Sequence, residues 1–167
     1  AGPIQVSRPG AKHPFARAFV AAGQQAGFPY NDDSNGATRE GFGPVDVTIG
    51  RGVRSSASRA YLRPARRRPN LAVLTGAQAT RILLQNGRAV GVEYLRRGLL
   101  ERVHAQREVL VCSGAINSPQ LLMLSGLGPA DALRAHGIAA RQDLPGVGRN
   151  LHDHLDACTI HQCTQRI

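Results

Sequence analysis

Apolar positions along this chain change their rhythm near residue 70, from helical spacing before it to strand-like alternation after it. Phe15, Phe19, Val20 and Ala26 fall on one helical face, with Pro14 near the start and Gly27 at the stop, so a helix is predicted over 14–27. Gly2 to Arg8 reads as an extended entry segment. Pro29 to Gly43 carries Asn31, Asp32, Asp33, Asn35 and Gly36, the composition of a surface loop. Val45 to Ile49 alternates and predicts a strand. Ser55 to Leu62 predicts a short capped helix ended by Pro64, with Arg63 to Asn70 as an exposed connection.

From Leu71 the pattern predicts strands at Leu71–Thr75, Thr80–Leu84, Arg88–Leu95 and Leu99–His104. Asn86-Gly87 is a hairpin signal and Arg97-Gly98 a second turn. Val109 to Cys112 is a short apolar run of the kind a sheet buries on both faces. Ser113, Gly114 and Ala115 then form a small-residue turn, which suits either close approach of a ligand or a tight strand–helix junction. A helix is expected over Ser118–Leu124, with Pro119 in its first turn, Asn117 or Ser118 as cap and Gly126 at its end. Asp131–His136 reads as another short helix stopped by Gly137, and the remainder to His154 as irregular. The expected fold class is α/β, in the mixed α+β sense: a small meander from Leu71 to Cys112 with helices before and after it.

The 167 residues suffice for one domain with a core, or for pieces of two. Position 1 is not Met and the only Met is Met123, so the chain is expected to begin inside a longer protein. No membrane-span or signal-peptide pattern is present, which predicts a soluble segment. Net charge is +10, almost entirely from arginine, since Lys12 is the only lysine. Arg63, Arg66, Arg67 and Arg68 form a local cluster able to meet phosphate or nucleic acid, but a solvated loop is the simpler reading. Aromatics are 4% of residues and do not interleave with the cluster, so no nucleic-acid partner is expected. Three cysteines are too few for a disulfide framework and suggest a reducing compartment, the cytoplasm. Cys112 is expected to be a buried small hydrophobe.

Several motifs invite chemistry without supporting it. Gly41-Phe-Gly43 and Gly146-Val-Gly148 neither follow a strand nor open a helix, the context a pyrophosphate cradle needs. His152, Asp153, His154, Cys158, His161 and Cys163 include proper metal ligands, but their spacings fit no zinc pattern. A hydrogen-bonded structural cluster is expected there, and no metal. Ser118 and Ser125 lack a nucleophile-elbow setting. Ser125 is expected to turn the chain at a helix end.

The run Gly114-Ala-Ile-Asn-Ser-Pro-Gln-Leu-Leu-Met-Leu-Ser-Gly-Leu-Gly128 resembles the second signature of the glucose–methanol–choline family of FAD-dependent alcohol oxidoreductases. Glu40–Gly43, Tyr61–Pro64, Asn70–Thr75, Ala89–Tyr94 and Leu144–His154 are similar to further family stretches, so the likeness runs from about Gly2 to His154, closest to the choline-dehydrogenase-like branch. It implies that the chain holds part of an FAD-binding domain plus part of an antiparallel-sheet substrate domain. The implied division is 1–70 on the substrate side, 71–154 in the FAD domain and 155–167 opening the substrate domain.

The same resemblance implies that Ser113, Gly114, Ala115 and Ser118 lie toward the adenosine half of FAD. It places the backbone of Ala79 against the adenine, with Ala79 where the family usually has Val. Asn150, Asp153 and His154 fit a family element that packs near the cofactor domain, with His152 at its variable place. The implied reaction takes a small-molecule alcohol to an aldehyde or ketone, with a hydride passing to the flavin. Neither the family's Gly-rich pyrophosphate loop nor its C-terminal catalytic His falls in this stretch. No catalytic residue is therefore assigned, and the chain alone is expected to bind FAD weakly or not at all. The alternative is a truncated, non-catalytic relative acting as a binding or structural module; membrane association is left open.

Overall fold

A computed structural model describes residues 2–8, 13–158, 160, 162 and 164. The chain divides into two compact units, Ala1–Val73 with Thr159–Ile167, and Leu74–Cys158. Among the described residues no helix is long and apolar enough to cross a membrane.

The first unit opens with helix α1, Pro14–Gln25. Pro14 occupies the first turn, where a missing N–H is harmless, and the Nδ1 of His13 accepts from the Phe15 N–H at 3.3 Å. Gly27, at φ +91°, ends the helix as the sequence predicts. Phe42 lies over α1: its ring is 5.3 Å from that of Phe19 and 5.4 Å from that of Phe28. A Cβ on Gly23 would come within 2.4 Å of the Phe42 ring, so that helix position must stay bare. Asn31 organises the following loop, donating through Nδ2 to the carbonyls of Thr38 and Glu40 at 2.8 and 3.1 Å. Gly43 passes so close to the Asn31 carbonyl that no side chain fits. Gly41-Phe-Gly43 is thus a packing loop that seats Phe42.

Two expectations for this unit are corrected. Val45–Ile49 is not a strand. Val47 makes an isolated bridge to Ser7, and only the last residue of the run, Ile49, enters a strand: the hairpin joins β1, Ile49–Gly50, to β2, Val53–Arg54. The reason is the turn: Arg51 and Gly52 take φ +52° and +73°, so the chain folds back immediately after Gly50. The helical run after Ser56 does not end at Pro64 either. A π-helical turn, Ser58–Leu62, closes with the Arg63 N–H bonded to the Ser58 carbonyl, and α2 follows as Arg63–Ala65. Pro64 then stands in a first turn, where no N–H is required of it.

The second unit is built on a three-stranded antiparallel meander: β3, Ala77–Gln85; β4, Arg88–Arg96; and β5, Leu99–His104. Asn86-Gly87 and Arg97-Gly98 have positive φ at both central residues, the geometry that matches strand twist. Gly91 lies opposite His104 in the middle strand, where a Cβ would reach 2.3 Å from the Val103 carbonyl oxygen. The Oε2 of buried Glu93 accepts from Nε and an η nitrogen of Arg102 across the strands, at 3.0 and 2.9 Å. The Tyr94 hydroxyl donates to the Oε2 of its cross-strand neighbour Glu101 at 2.9 Å, and that bond holds the phenol pKa above its ordinary range.

After the meander come α3, Gly114–Leu124; β6, Leu127–Gly128; α4, Ala130–Ala135; and β7, Gln142–Asp143. β6 and β7 pair in parallel, and β7 lies inside the stretch after Gly137 expected to be irregular. The apolar core is small: Ile82 from β3, Leu121 from α3 and Leu133 from α4. Leu71–Thr75 and Val109–Cys112, both expected to be strands, are not. Neither run has a ladder partner here, and strand propensity without one leaves extended chain. Leu110 is 75% exposed and Cys112 is exposed rather than buried.

Candidate functional site

The strand-less run 109–112 delivers the chain to Ser113, and Gly114 turns it into α3 with φ +83°. Only glycine adopts that angle freely. A Cβ on Gly114 would meet nothing within 4 Å, so conformation selects glycine here, and the space beside it is open. Helix α3 begins four residues before the expected start. The Ser113 N–H donates to the Oγ of Ser118 at 3.0 Å, which fixes the junction and absorbs the side chain expected to cap a later start. Pro119 consequently sits inside the helix. It removes one bond, to the carbonyl of Ala115, and Ala115 is exposed enough for water to replace it.

The far end of α3 is anchored differently. The Oγ of buried Ser125 donates to the Leu121 carbonyl at 2.6 Å and accepts from the Ile82 N–H at 2.8 Å. A hydroxyl therefore occupies the outer edge of β3 where a strand would otherwise bond. Ser125 turns the chain at the helix end, as expected. It also ties helix to sheet, a role with no local sequence signal because its partner is 43 positions away.

Between these ends, β3 and α3 enclose a cleft of about 250 Å³ lined by Gln78 and Ala79 on one side and Ser113, Asn117, Gln120, Leu121 and Leu124 on the other. The helix residues recur at the spacing of one helical face. Two residues expected at the cofactor, Ala79 and Ser113, thus meet across one cleft although 34 positions apart in sequence. Gly114 forms the turn beside it. Ala115 does not join them. It lines a second cleft of about 410 Å³ with Pro119, Met123, Arg149, Asn150 and His152. Ser118 spends its oxygen on the Ser113 amide. Gln78, Asn117 and Gln120 supply amide groups to the first cleft, and sequence reading had not singled them out as lining residues. The spacing 113, 117, 120, 124 was the available signal.

Near the end of the unit, Asn150 takes φ +57° and the Oδ1 of Asp153 accepts from the His154 N–H at 2.8 Å. Gly148 lies against Met123, so this segment packs on the opposite face of α3 from the first cleft. Among the described residues no three His, Cys, Asp or Glu side chains gather as a metal site, and His161 and Cys163 lie outside those residues.

Does the first cleft suit FAD? Whole small-molecule sites usually exceed about 300 Å³, so this cleft takes one end of a dinucleotide and not all of it. Its lining of amides, a hydroxyl, a bare turn and two leucines suits a flat, hydrogen-bonding heterocycle. The residues present fit the adenosine end of such a group.

The chain is similar to known proteins in sequence and in fold. A family profile, GMC oxidoreductase, matches residues 1–156. Human mitochondrial choline dehydrogenase is 50% identical over 166 residues, which cover 99% of this chain and 28% of that protein. Among solved structures, pyridoxine 4-oxidase from Mesorbium loti superposes with a TM-score of 0.86 at 38% identity, over 92% of this chain and 30% of that one. An FAD-dependent oxidoreductase from Chaetomium thermophilum gives 0.85 at 31% identity, over 92% and 27%. The chain therefore spans less than a third of the length of these relatives.

Proposed function

This chain belongs to the GMC oxidoreductase family, and from that premise we propose that it forms the adenosine-side wall of an FAD site in an enzyme oxidising a CH–OH group of a small alcohol. One observation carries the reading: Ala79 and Ser113 face each other across a cleft whose rim, at Gly114, is open. When bound, FAD accepts the pair of electrons that leaves the alcohol carbon.

The chain's own residues do the positioning. The β3 backbone at Gln78 and Ala79 presents one wall to the heterocycle, and the amides of Asn117 and Gln120 offer donors and acceptors from the other. Gly114 lets the backbone pass close to the ligand, and Ser118 holds Ser113 in place. Ala115 faces the second cleft, on the other side of α3, and is not part of this wall. We assign residues 71–154 to the FAD domain, 1–70 to the substrate side and 155–167 to the start of the substrate domain. The unit boundaries at Val73/Leu74 and Cys158/Thr159 support that division. A reducing compartment such as the cytoplasm is supported by two exposed free thiols, Cys112 and Cys158.

Filling the cleft tests the proposal. In the full-length protein, Ala79→Leu is expected to weaken FAD retention roughly tenfold, from about 1.4 kcal/mol of displaced contact. Leu110→Ala, away from the cleft, is expected to leave it unchanged. Fluorescence of FAD released on dialysis reads both. Undiminished retention in Ala79→Leu would remove Ala79 from the site. The isolated chain is expected to bind FAD weakly or not at all, and micromolar affinity in a titration would overturn that part.

A further inference from the structure

Seven arginines fall between positions 51 and 68, while no aspartate or glutamate occurs from residue 47 to residue 92. An arginine-rich composition explains their number. It does not explain their placement. Arg54, Arg59, Arg63 and Arg66 line one cleft of about 430 Å³, together with Ser56 and Ser58.

The local structure brings them together. Arg54 ends β2, and Arg59, Arg63 and Arg66 recur at i, i+4 and i+7, which places them on one helical face. The Ser56 Oγ accepts from the Arg59 N–H at 3.2 Å and fixes the first turn. Among the described residues, no ion pair involves any of the four. Arg8 shows the contrast within the same unit: it holds Asp46 at 3.1 Å and Asp32 at 2.7 Å, and the bond to Asp46 raises its already high pKa. Four guanidinium groups gathered in a concavity repel one another until an anion enters. Their planar forks match the oxygens of a phosphoryl group, and the two serine hydroxyls add neutral donors. The cleft offers no aromatic face for a base to stack on.

We propose that this cleft is a binding site for a phosphoryl-bearing anion, supplied either as a free polyphosphate or as a lipid headgroup. Arg54, Arg59, Arg63 and Arg66 are its ligands. Arg67 and Arg68, exposed in the same run, lie outside its lining.

The test uses the purified full-length protein in saturating FAD, so that the flavin's own pyrophosphate cannot be the anion detected. Pyrophosphate is titrated calorimetrically at low and at physiological salt. Binding is expected, weakening as salt screens the charges. Arg63→Gln with Arg66→Gln is expected to weaken it at least about tenfold, the scale of two lost charge-assisted bonds. Arg67→Gln with Arg68→Gln removes the same charge and is expected to change it less than about twofold, since screened charges outside the cleft contribute little. Circular dichroism of both pairs checks that they fold.

A second arm offers phosphatidylcholine vesicles with and without phosphatidic acid. Capture only by the acidic vesicles, competed by pyrophosphate, identifies a lipid headgroup as the source. Pyrophosphate binding without vesicle capture identifies a free anion. Equal losses in the two double variants would overturn the proposal in favour of diffuse charge. So would the absence of both pyrophosphate and vesicle binding. Duplex DNA binding that needs all four of Arg63, Arg66, Arg67 and Arg68, without pyrophosphate binding, would overturn it as well.

Discussion

Strand β5 and the run Val109–Cys112 are both short and open on apolar residues, and burial does not separate them: Leu99 is 67% exposed and Leu110 75%. Yet β5 is paired over its whole length and 109–112 is not paired at all. The difference lies in what precedes each. Arg97-Gly98 turns the chain straight back onto β4, so β5 meets its partner within two residues. Ala105–Glu108 runs on beside the start of β4, bonded to Val90 and Arg88, with no such turn to give 109–112 a partner. An apolar run becomes a strand only where the chain supplies a ladder for it.

The largest effect expected from this contrast is in the buried side of the meander. Ile82→Ala is expected to lower the unfolding free energy by about 2–4 kcal/mol, whereas Leu110→Ala and Leu99→Ala each stay within about 0.5 kcal/mol. Urea unfolding measures all three. A large effect at Leu110 would show that 109–112 has a partner after all and would break the comparison.

The next effect probes how β3 manages its outer edge without a neighbouring strand. Ser125→Ala leaves the Ile82 N–H buried and unbonded, and is expected to cost about 1–3 kcal/mol. Amide exchange at Ile82 should accelerate by more than exchange at Val92 on the next strand. Equal acceleration would mean global loosening and would remove Ser125's role as an edge closure.

The smallest effect concerns a single cross-strand pair. The phenol of Tyr94 has a raised pKa in the folded chain because its hydroxyl donates to Glu101. Its contribution to stability is fully present below the ordinary phenol pKa and is lost as pH rises through the raised value. Glu101→Gln is expected to bring the Tyr94 titration back toward the ordinary range, read from tyrosinate absorbance. An unchanged titration would show that the pair does not hold in solution.

The parts of the fold legible in sequence are those whose signals are local. Asn86-Gly87, Arg97-Gly98, Gly27 and Gly137 each mark a turn by its own backbone demand, and the elements between them follow. The misread parts depend on distant chain. Val45–Ile49 reads as a strand, yet Val47 finds only an isolated bridge to Ser7 and the ladder begins at Ile49, opposite Arg54. Cys112 reads as buried, yet burial required a sheet on either side of its run. Pro119 reads as a first-turn residue because its missing N–H costs nothing there; the helix instead starts at Gly114, where the Ser113 N–H bonds the Ser118 hydroxyl. The site divides in the same way. Gly114 and Ser113 are visible in their signature, whereas the meeting of Ser113 with Ala79 depends on how α3 lies across β3.

Among the described residues, the side-chain hydrogen bond that fastens α3 to the sheet lies at one end, at Ser125, and this makes the helix a lever. From Ser125 to Ser113 is about 18 Å at 1.5 Å per residue. A tilt of about 3° around the Ser125 hydroxyl carries Ser113 about 1 Å toward or away from Ala79 over that arm. The width of the cleft at Ser113 is thereby sensitive to a hydrogen bond made twelve residues further along the chain, between Ser125 and Ile82.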